Sequence, residues 1–596
     1  MPFKKESFVT VYDNLQKQID IDDSRGRSVP VNMNFIENGY LTKDTGVSLF
    51  GATEVALFHS LYNYKKKNGT SYFIGATGTR LKVYNTTTLV WDNLGTIGAA
   101  TITIATPGVI TYTAHGLVLN SRVVFSTTGA LPTGIVAGTA YFVISAGLTA
   151  NNFQISATKG GAAIDTTGAQ SGVHTISKSF TTDAEFGFVV YNDELYGCNA
   201  VEPMFKFTGT VFTDIAAAPV GNIMEIFEDR LFVSGVTAEP LSVYYSNVGV
   251  FTTWTGSDVL KPLGTDSVTG LVNYFGFLLI FKTESIWKLT FEYNQVVSLF
   301  VPKIELQSGN YGACSRKAIS WVENDVWFFT GREVRSIGYK DQQIGVLGVN
   351  KSVISDDIKE TLYTIDQTNY PQVCVFYYNR RFYLSIPLGS TVNNTTFVCH
   401  LLYSNSWTKY KGRIKSKVNS YAQVDGVIYS TRSETPFGVL KWDNALLNDN
   451  GLAISSEVYF IKNEDKDFNK FIIYRYLDLM FKNLTAIVTV TLDEDANDLR
   501  TSKSKQFFVG SVLENDLNAL AEIGVGEQLV GDAYGQTVES SPFLKKRVSF
   551  LSKSQTLTIG LSNAEVDQTF TVAQYALNGT KEPRKMFNPS AIVSVN

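Results

Sequence analysis

Hydrophobic positions along this chain come in short bursts of alternating or continuous apolar residues, each introduced by a polar turn. "YNDELYGCN" begins at Tyr191, "FEDRLFVSG" at Phe227, "YFGFLLIFK" at Tyr274, "ENDVWFFTG" at Glu323, "YNRRFYLSI" at Tyr378 and "VDGVIYSTR" at Val424. Period-two alternation bounded by Asn, Asp and Gly predicts strands and hairpins. Apolar residues at helical spacing are almost absent, and "VLENDLNALAEI" at 512–523 is the best short helix candidate. Taking one strand position as marker gives Leu195, Leu231, Leu278, Val326, Phe382 and Val427. Their spacing of roughly 35 to 55 residues is that of one four-stranded propeller blade.

A small twisted sheet cannot bury both of its faces alone. Stacked radially against similar sheets it can, and closure of the ring leaves only short edges. The expected fold is therefore all-β: a propeller of six or seven blades over 68–96 and 179–451, with a lead-in arm at 1–67. The repeats begin near Gly69, and the first blade is expected to be interrupted and to continue after residue 180. The competing arrangement is a set of hairpins in two sandwiches. No familiar propeller signature recurs: Trp91–Asp92 and Trp442–Asp443 lack a GH partner and a fixed period, and Gly160–Gly161 falls outside a blade.

Between 97 and 178 the composition turns to Thr, Ala, Gly and Val, with Arg122, Lys159, Asp165 and Lys178 as the only charges. This predicts a separate β domain inserted at a loop, where insertions are tolerated. Its text, "TYTAHGLVLNSRVVFSTTGALPTGIVAGTAYFVISAGLTANNFQIS", resembles a small β module common in phage structural proteins. That resemblance implies a decoration or contact domain, with His115 as a structural turn residue. Beyond 451, "SEVYFI", "FIIYRYLDLMF", "AIVTVTLDED", "KKRVSFLS", "QTLTIGLS" and "FTVAQYAL" alternate as the strands of a β-sandwich over 452–596.

Composition narrows the chemistry. Aromatics are 13% against 18% charged residues, a balance that suits half-buried strands. A net charge of −4 lacks the basic footprint of a sequence-reading nucleic-acid binder, and "YKKKNG" near Tyr64 reads as a solvated loop. Cys198, Cys314, Cys374 and Cys399 are widely spaced in apolar runs, as reduced core thiols made in a cytoplasm would be. The N-terminus lacks the apolar segment of a signal peptide, and "FGFLLIF" at 275–281 is too short to span a bilayer.

None of the usual site constellations is complete in the sequence. His59, His115, His174 and His400 show no metal-ligand spacing, and "GATGTRLK" at 75–82 lacks the Lys-Ser/Thr ending of a phosphate loop. "DEDAND" opens like a calcium loop with Asp493, Asp495 and Asn497. It then carries Asp498 where Gly is needed and Ser504 where Glu is needed, so it reads as an acidic hairpin tip. Glu225, Glu228, Asp229, Glu284 and Asp325 are the carboxylates that would have to converge near a propeller axis for glycoside chemistry, although each also suits a turn. No catalytic, cofactor-binding or metal residue, and no cofactor, is therefore expected.

The order of parts carries one more resemblance. "ENGYLTKDTG" precedes the blades. "IFEDRLFVSG", "YYSNVGVFTTW", "DSVTGLVNYFGFLLIFKTESIWKLT", "LQSGNYGACSRKAISWVENDVWFFTGREVRSIG" and "KKRVSFLSKSQTLTIGLS" then follow in turn. The series resembles the tail hub, or nozzle, proteins of short-tailed bacteriophages, which include packaged-DNA stabilisation proteins. The resemblance covers most of 30–575 without the insert. It implies a virion tail subunit, made in the bacterial cytoplasm and not an enzyme. Six copies would ring the channel below the portal and adaptor and close it until DNA leaves. The implied partners are copies of itself, the adaptor, fibres or spikes, and genomic DNA passing without sequence recognition. The arm and the C-terminal sandwich are the expected ring-forming faces, and "SVTG" at 267–270 is a candidate channel-lining loop. A receptor-binding or fibre-docking protein and a polysaccharide-active propeller are the alternatives.

Overall fold

The computed structural model describes residues 9–10, 29–36, 40–256, 258–295, 299–341, 346–350, 353–463, 470–494, 503–510, 543–554 and 556–583. Among these residues the chain divides into two compact units, one of 48–396 with 415–442, the other of 1–47, 397–414 and 443–596.

The propeller is built from seven four-stranded antiparallel sheets. Blade 1 comprises Phe58–Lys65, Ser71–Thr77, Arg80–Asn85 and Val90–Leu94. Blade 2 comprises Gly187–Tyr191, Glu194–Cys198, Phe205–Phe207 and Phe212–Asp214. Blade 3 comprises Ile223–Phe227, Arg230–Ser234, Val243–Tyr245 and Val259–Leu260, and blade 4 Val268–Tyr274, Phe277–Lys282, Ile286–Asn294 and Leu299–Ser308. Blade 5 comprises Ile319–Val322, Asp325–Phe329, Val334–Asp341 and Val346–Val349, and blade 6 Cys374–Tyr378, Arg381–Ile386, Thr395–His400 and Ser406–Lys411. Blade 7 takes Val418–Val424, Val427–Arg432 and Phe437–Trp442 from late in the chain, and its fourth strand, Val47–Glu54, from the beginning.

The recurrent turn-and-strand bursts are the hairpins joining the first two strands of blades 2 to 7, and all six marker residues lie on second strands. Each hairpin has a two-residue turn. In five of them both central residues have positive φ: Asn192 and Asp193, Glu228 and Asp229, Phe275 and Gly276, Asn379 and Arg380, Asp425 and Gly426. Such turns match the right-handed twist of the flanking strands, which is why Asn, Asp and Gly recur there. Phe275 and Arg380 adopt this conformation without the usual turn chemistry, at a cost in local strain.

Neighbouring blades share apolar cores. Tyr64 and Ile74 of blade 1 pack with Leu195 and Phe205 of blade 2, and Tyr196 of blade 2 with Leu231 of blade 3. Phe232 meets Leu278 between blades 3 and 4, and Phe281 meets Phe328 between blades 4 and 5. Trp327 lies 5.1 Å from Phe382 between blades 5 and 6. Phe376 stacks on Tyr421 at 5.2 Å between blades 6 and 7, and Phe58 and Phe73 pack with Tyr429 and Val439 to join blade 1 to blade 7. Full burial of one such side chain is worth about 1.5–3 kcal/mol, so each interface is a substantial apolar joint.

The expected boundaries shift in three places. The lead-in arm does not extend to 67, because Val47–Glu54 and Phe58–Lys65 are already propeller strands. Blade 1 is complete before the insert, which lies in the connection to blade 2 and interrupts no blade. "SVTG" at 267–270 is not a loop: Val268, Thr269 and Gly270 begin the first strand of blade 4, as β-branched residues favour.

The insert forms a seven-stranded sheet over Thr96–Lys178. Its two terminal strands, Asn152–Phe153 and Ile155–Ser156, follow one another in the chain and pair with opposite edges, so the sheet nearly closes into a barrel. Ile110, Val123, Phe125, Phe153 and Ile176 fill its interior.

In the second unit, the C-terminal β-sandwich is organised by one long strand, Lys470–Glu494. Its first half lies between Phe543–Ser554 and Thr569–Pro583, and its second half between Lys503–Gly510 and Thr556–Asn563. Register shifts from Lys482 to Thr485 mark the crossing from one half to the other. The N-terminal segment adds Tyr40–Lys43 against Thr569–Pro583, followed by Met33–Ile36, so both ends of the described chain enter one sheet. The expected helix at 512–523 and the residues 495–502 of the acidic tip lie outside the described residues.

Candidate functional site

Residues in and just ahead of the first strands of blades 2 to 5 line a cavity of about 360 Å³ on the inner side of the propeller. Phe188 of blade 2, Met224 and Glu225 of blade 3, Gly270 and Val272 of blade 4, and Ser320 and Trp321 of blade 5 are among its lining residues. Glu225 is the carboxylate in that lining. Burial pushes it up to about 7, with only the Ile226 backbone N–H, donated at 3.1 Å, acting against the shift. Tyr62 stands 5.3 Å from Phe188, ring to ring. Burial first, and the Glu225 charge second, push its hydroxyl up to about 12, so it remains a neutral donor.

The two ends of the inner strands are held differently. At the hairpin end, a tyrosine closing one inner strand donates its hydroxyl to the next blade's turn. Tyr64 reaches the carbonyl of Asp193 at 2.5 Å, Tyr274 that of Asn324 at 2.7 Å, and Tyr378 that of Gly426. At the opposite end, Arg316 and Lys317 leave a short 3₁₀ turn ahead of the first strand of blade 5 and reach across to other blades. The Arg316 guanidinium donates to the carbonyls of Phe186, at 3.0 Å, and Asn222. Lys317 meets Glu185 at 2.7 Å and donates to the Asn419 carbonyl of blade 7 at 3.2 Å. Burial acts to raise Glu185, but the Lys317 and Arg316 cations outweigh it and hold the carboxyl below its ordinary range. His59, 3.1 Å from Asp183, lies beside this network, and burial lowers its pKa.

The insert is fixed to blade 2 by a second polar joint. Lys178 and Asp214 form an ion pair with each side chain only 1% exposed. Ser121 donates to the same carboxylate, and the Asp214 N–H donates to the Gly116 carbonyl at 2.8 Å. Gly116, at φ +65°, comes so close to the Phe212 carbonyl that a Cβ would sit 2.7 Å from it.

The sequence-predicted carboxylates do not gather. Glu225 lines the cavity, whereas Glu228 and Asp229 form a hairpin turn. Glu284 lies in the tight turn after Phe277–Lys282, its N–H donating to Asp266 at 3.3 Å. Asp325 starts the second strand of blade 5 and accepts from Asn350 at 3.4 Å. The histidines are equally dispersed. His115 Nδ1 accepts from the Leu117 N–H at 3.0 Å, His174 bonds Thr127 and Gln170, and His400 bonds Thr408. Among the described residues no three His, Cys, Asp or Glu side chains form a metal-binding group. Burial pushes the thiols of Cys198, Cys314 and Cys374 up to about 12. "YKKKNG" forms the blade 1 hairpin, where Lys66 donates to the Thr208 carbonyl.

No protein-family model and no curated protein matches the chain. Among solved structures, the computationally designed Ika8 protein is similar over 67% of this chain and 99% of its own, at 10% identity and a TM-score of 0.30. AztD from Citrobacter koseri covers 61% of this chain and 88% of its own, at 10% identity and 0.29. The Pan2 WD40 domain of Neurospora crassa covers 59% of this chain and 90% of its own, at 10% identity and 0.24. With these scores, the propeller assignment rests on the sheet topology itself.

Proposed function

We propose that this protein is a structural subunit of a short-tailed bacteriophage tail, a hub or nozzle component that assembles into a ring, most simply of six copies, around the DNA-exit channel. Its partners in that setting are further copies of itself, an adaptor or portal-proximal ring, tail fibres or spikes, and genomic DNA passing through the lumen. The observation that supports this reading most is the use of the stretches carrying the family resemblance. "IFEDRLFVSG" covers the first hairpin turn and the second strand of blade 3, and "YYSNVGVFTTW" begins on its third strand. "DSVTG" through "WKLT" supplies the first two strands of blade 4 and the start of its third, and the longer stretch after it leads into blade 5. The resemblance therefore follows consecutive structural units in one closed propeller.

The function is mechanical. Shared cores and the Arg316–Lys317 bracing make a stiff wall element, and a ring of such elements encloses a passage between subunits. Each subunit must then present two complementary faces for the ring to close. A net charge of −4 limits phosphate ion pairs, which lets duplex slide. A fibre-docking or receptor-binding role is favoured by the insert, where Ile104, Val136 and Val173 are 52%, 61% and 53% exposed. Glycoside chemistry needs a second carboxylate opposite Glu225, and the described cavity lining supplies none. Mass photometry of the purified full chain tests the proposal. A ring-sized assembly is expected, and a monomer at every concentration and salt condition would overturn it.

A further inference from the structure

We propose that the inner cavity is a binding site for a small primary alkylammonium ligand, held between the Glu225 carboxylate and the aromatic walls supplied by Phe188 and Trp321. The inference is independent of the tail-subunit reading.

Glu225 lines a cavity of about 360 Å³ without a cationic partner. No ion pair of the described residues includes it, and no basic side chain acts on its ionisation. Arg316 lines the same cavity, but its guanidinium is directed to the Phe186 and Asn222 carbonyls and lies 3.6 Å from Glu185. A half-buried carboxylate without a counter-charge carries a desolvation cost, and a cation entering beside it offsets that cost.

The rest of the wall selects the kind of cation. Phe188, Met224, Leu271, Val272 and Trp321 present apolar or aromatic surface, suited to an alkyl chain and to the face-on attraction between an ammonium and a ring. A divalent metal ion is disfavoured, because calcium takes six to eight oxygen ligands and this lining contributes a single carboxylate. Tyr62, which feels the Glu225 charge, stays protonated and brings no competing charge to the carboxylate. Trp321 is 37% exposed and stacks on Tyr274 at 5.1 Å, so one aromatic wall is both ordered and open to solvent.

The test is isothermal titration calorimetry of the full-length protein with n-butylammonium chloride, with n-butanol and potassium chloride as controls. Saturable binding near one ligand per chain is expected for butylammonium alone. Glu225→Gln should weaken it by about tenfold or more, the scale of one charge-assisted hydrogen bond. Trp321→Leu should weaken it several-fold through loss of the ring face. Absence of saturable heat, equal binding of butanol, or an affinity within twofold of the parent in Glu225→Gln would overturn the proposal. Should Glu225→Gln fail to fold by circular dichroism, the butylammonium–butanol contrast on the parent protein decides.

Discussion

The two ends of the propeller's inner strands solve one problem by different means. At the hairpin end, blades 2 to 7 repeat a local device, a two-residue turn, and in three blades a tyrosine hydroxyl reaches the next blade's turn carbonyl. At the other end, Arg316 and Lys317 connect blade 5 to blades 2, 3 and 7. Repetition distributes the load over many modest bonds. The unique cluster concentrates it in a few charges, each needing its partner. The joint between the insert and blade 2 belongs to the second kind, resting on Lys178 and Asp214.

That contrast predicts an ordered series of losses. Asp214→Asn, which leaves Lys178 buried without its counter-ion, should cost about 3–5 kcal/mol in chemical denaturation and expose the insert junction to protease. Glu185→Gln should cost less, about 2 kcal/mol, because Glu185 is 31% exposed and Arg316 keeps its carbonyl partners. Tyr274→Phe removes one hydroxyl from a repeated device and should cost about 1 kcal/mol. Asp425→Asn, at the exposed pair with Lys65, should fall within about 0.5 kcal/mol of the parent. A loss at Tyr274 exceeding that at Asp214 would invert the comparison.

Glu225 supplies a pH test between the two ends. Its carboxyl is harder to ionise in the fold than in the unfolded chain, where the ordinary value is 4.5. Its contribution therefore favours the fold below about 4.5 and is lost as pH rises through about 7. Of the charged groups around it, Arg316 is engaged elsewhere and Tyr62 stays neutral over this range. Thermal melts of Glu225→Gln and the parent should nearly coincide at pH 4.5. At pH 8 the variant should be the more stable, by about 2 kcal/mol. Parallel curves over this range would place the cost of burial elsewhere.

The same contrast explains what the sequence made legible. Turn chemistry and strand alternation are local, so "FEDRLFVSG" and its relatives predict hairpins, and their spacing predicts blades. The composition change at 97–178 likewise separates the insert. The pairing of Val47–Glu54 with the last blade joins residues nearly 400 positions apart, and the text around Val47 says nothing of that partner. "CSRKAIS" reads as an ordinary basic turn, and only the folded ring brings Arg316 and Lys317 to Glu185 and Asn419. Glu225 was visible as one carboxylate among five, but periodicity cannot separate the one lining the cavity from Glu228, three residues later in a turn.

Negative-stain electron microscopy of the purified protein, classified without imposed symmetry, tests the central claim most directly. Annular particles with a lumen wide enough for duplex DNA, and the propeller in the wall between neighbours, are the predicted result. Isolated single-subunit particles, or assemblies whose only opening is the narrow axis within one propeller, would contradict it.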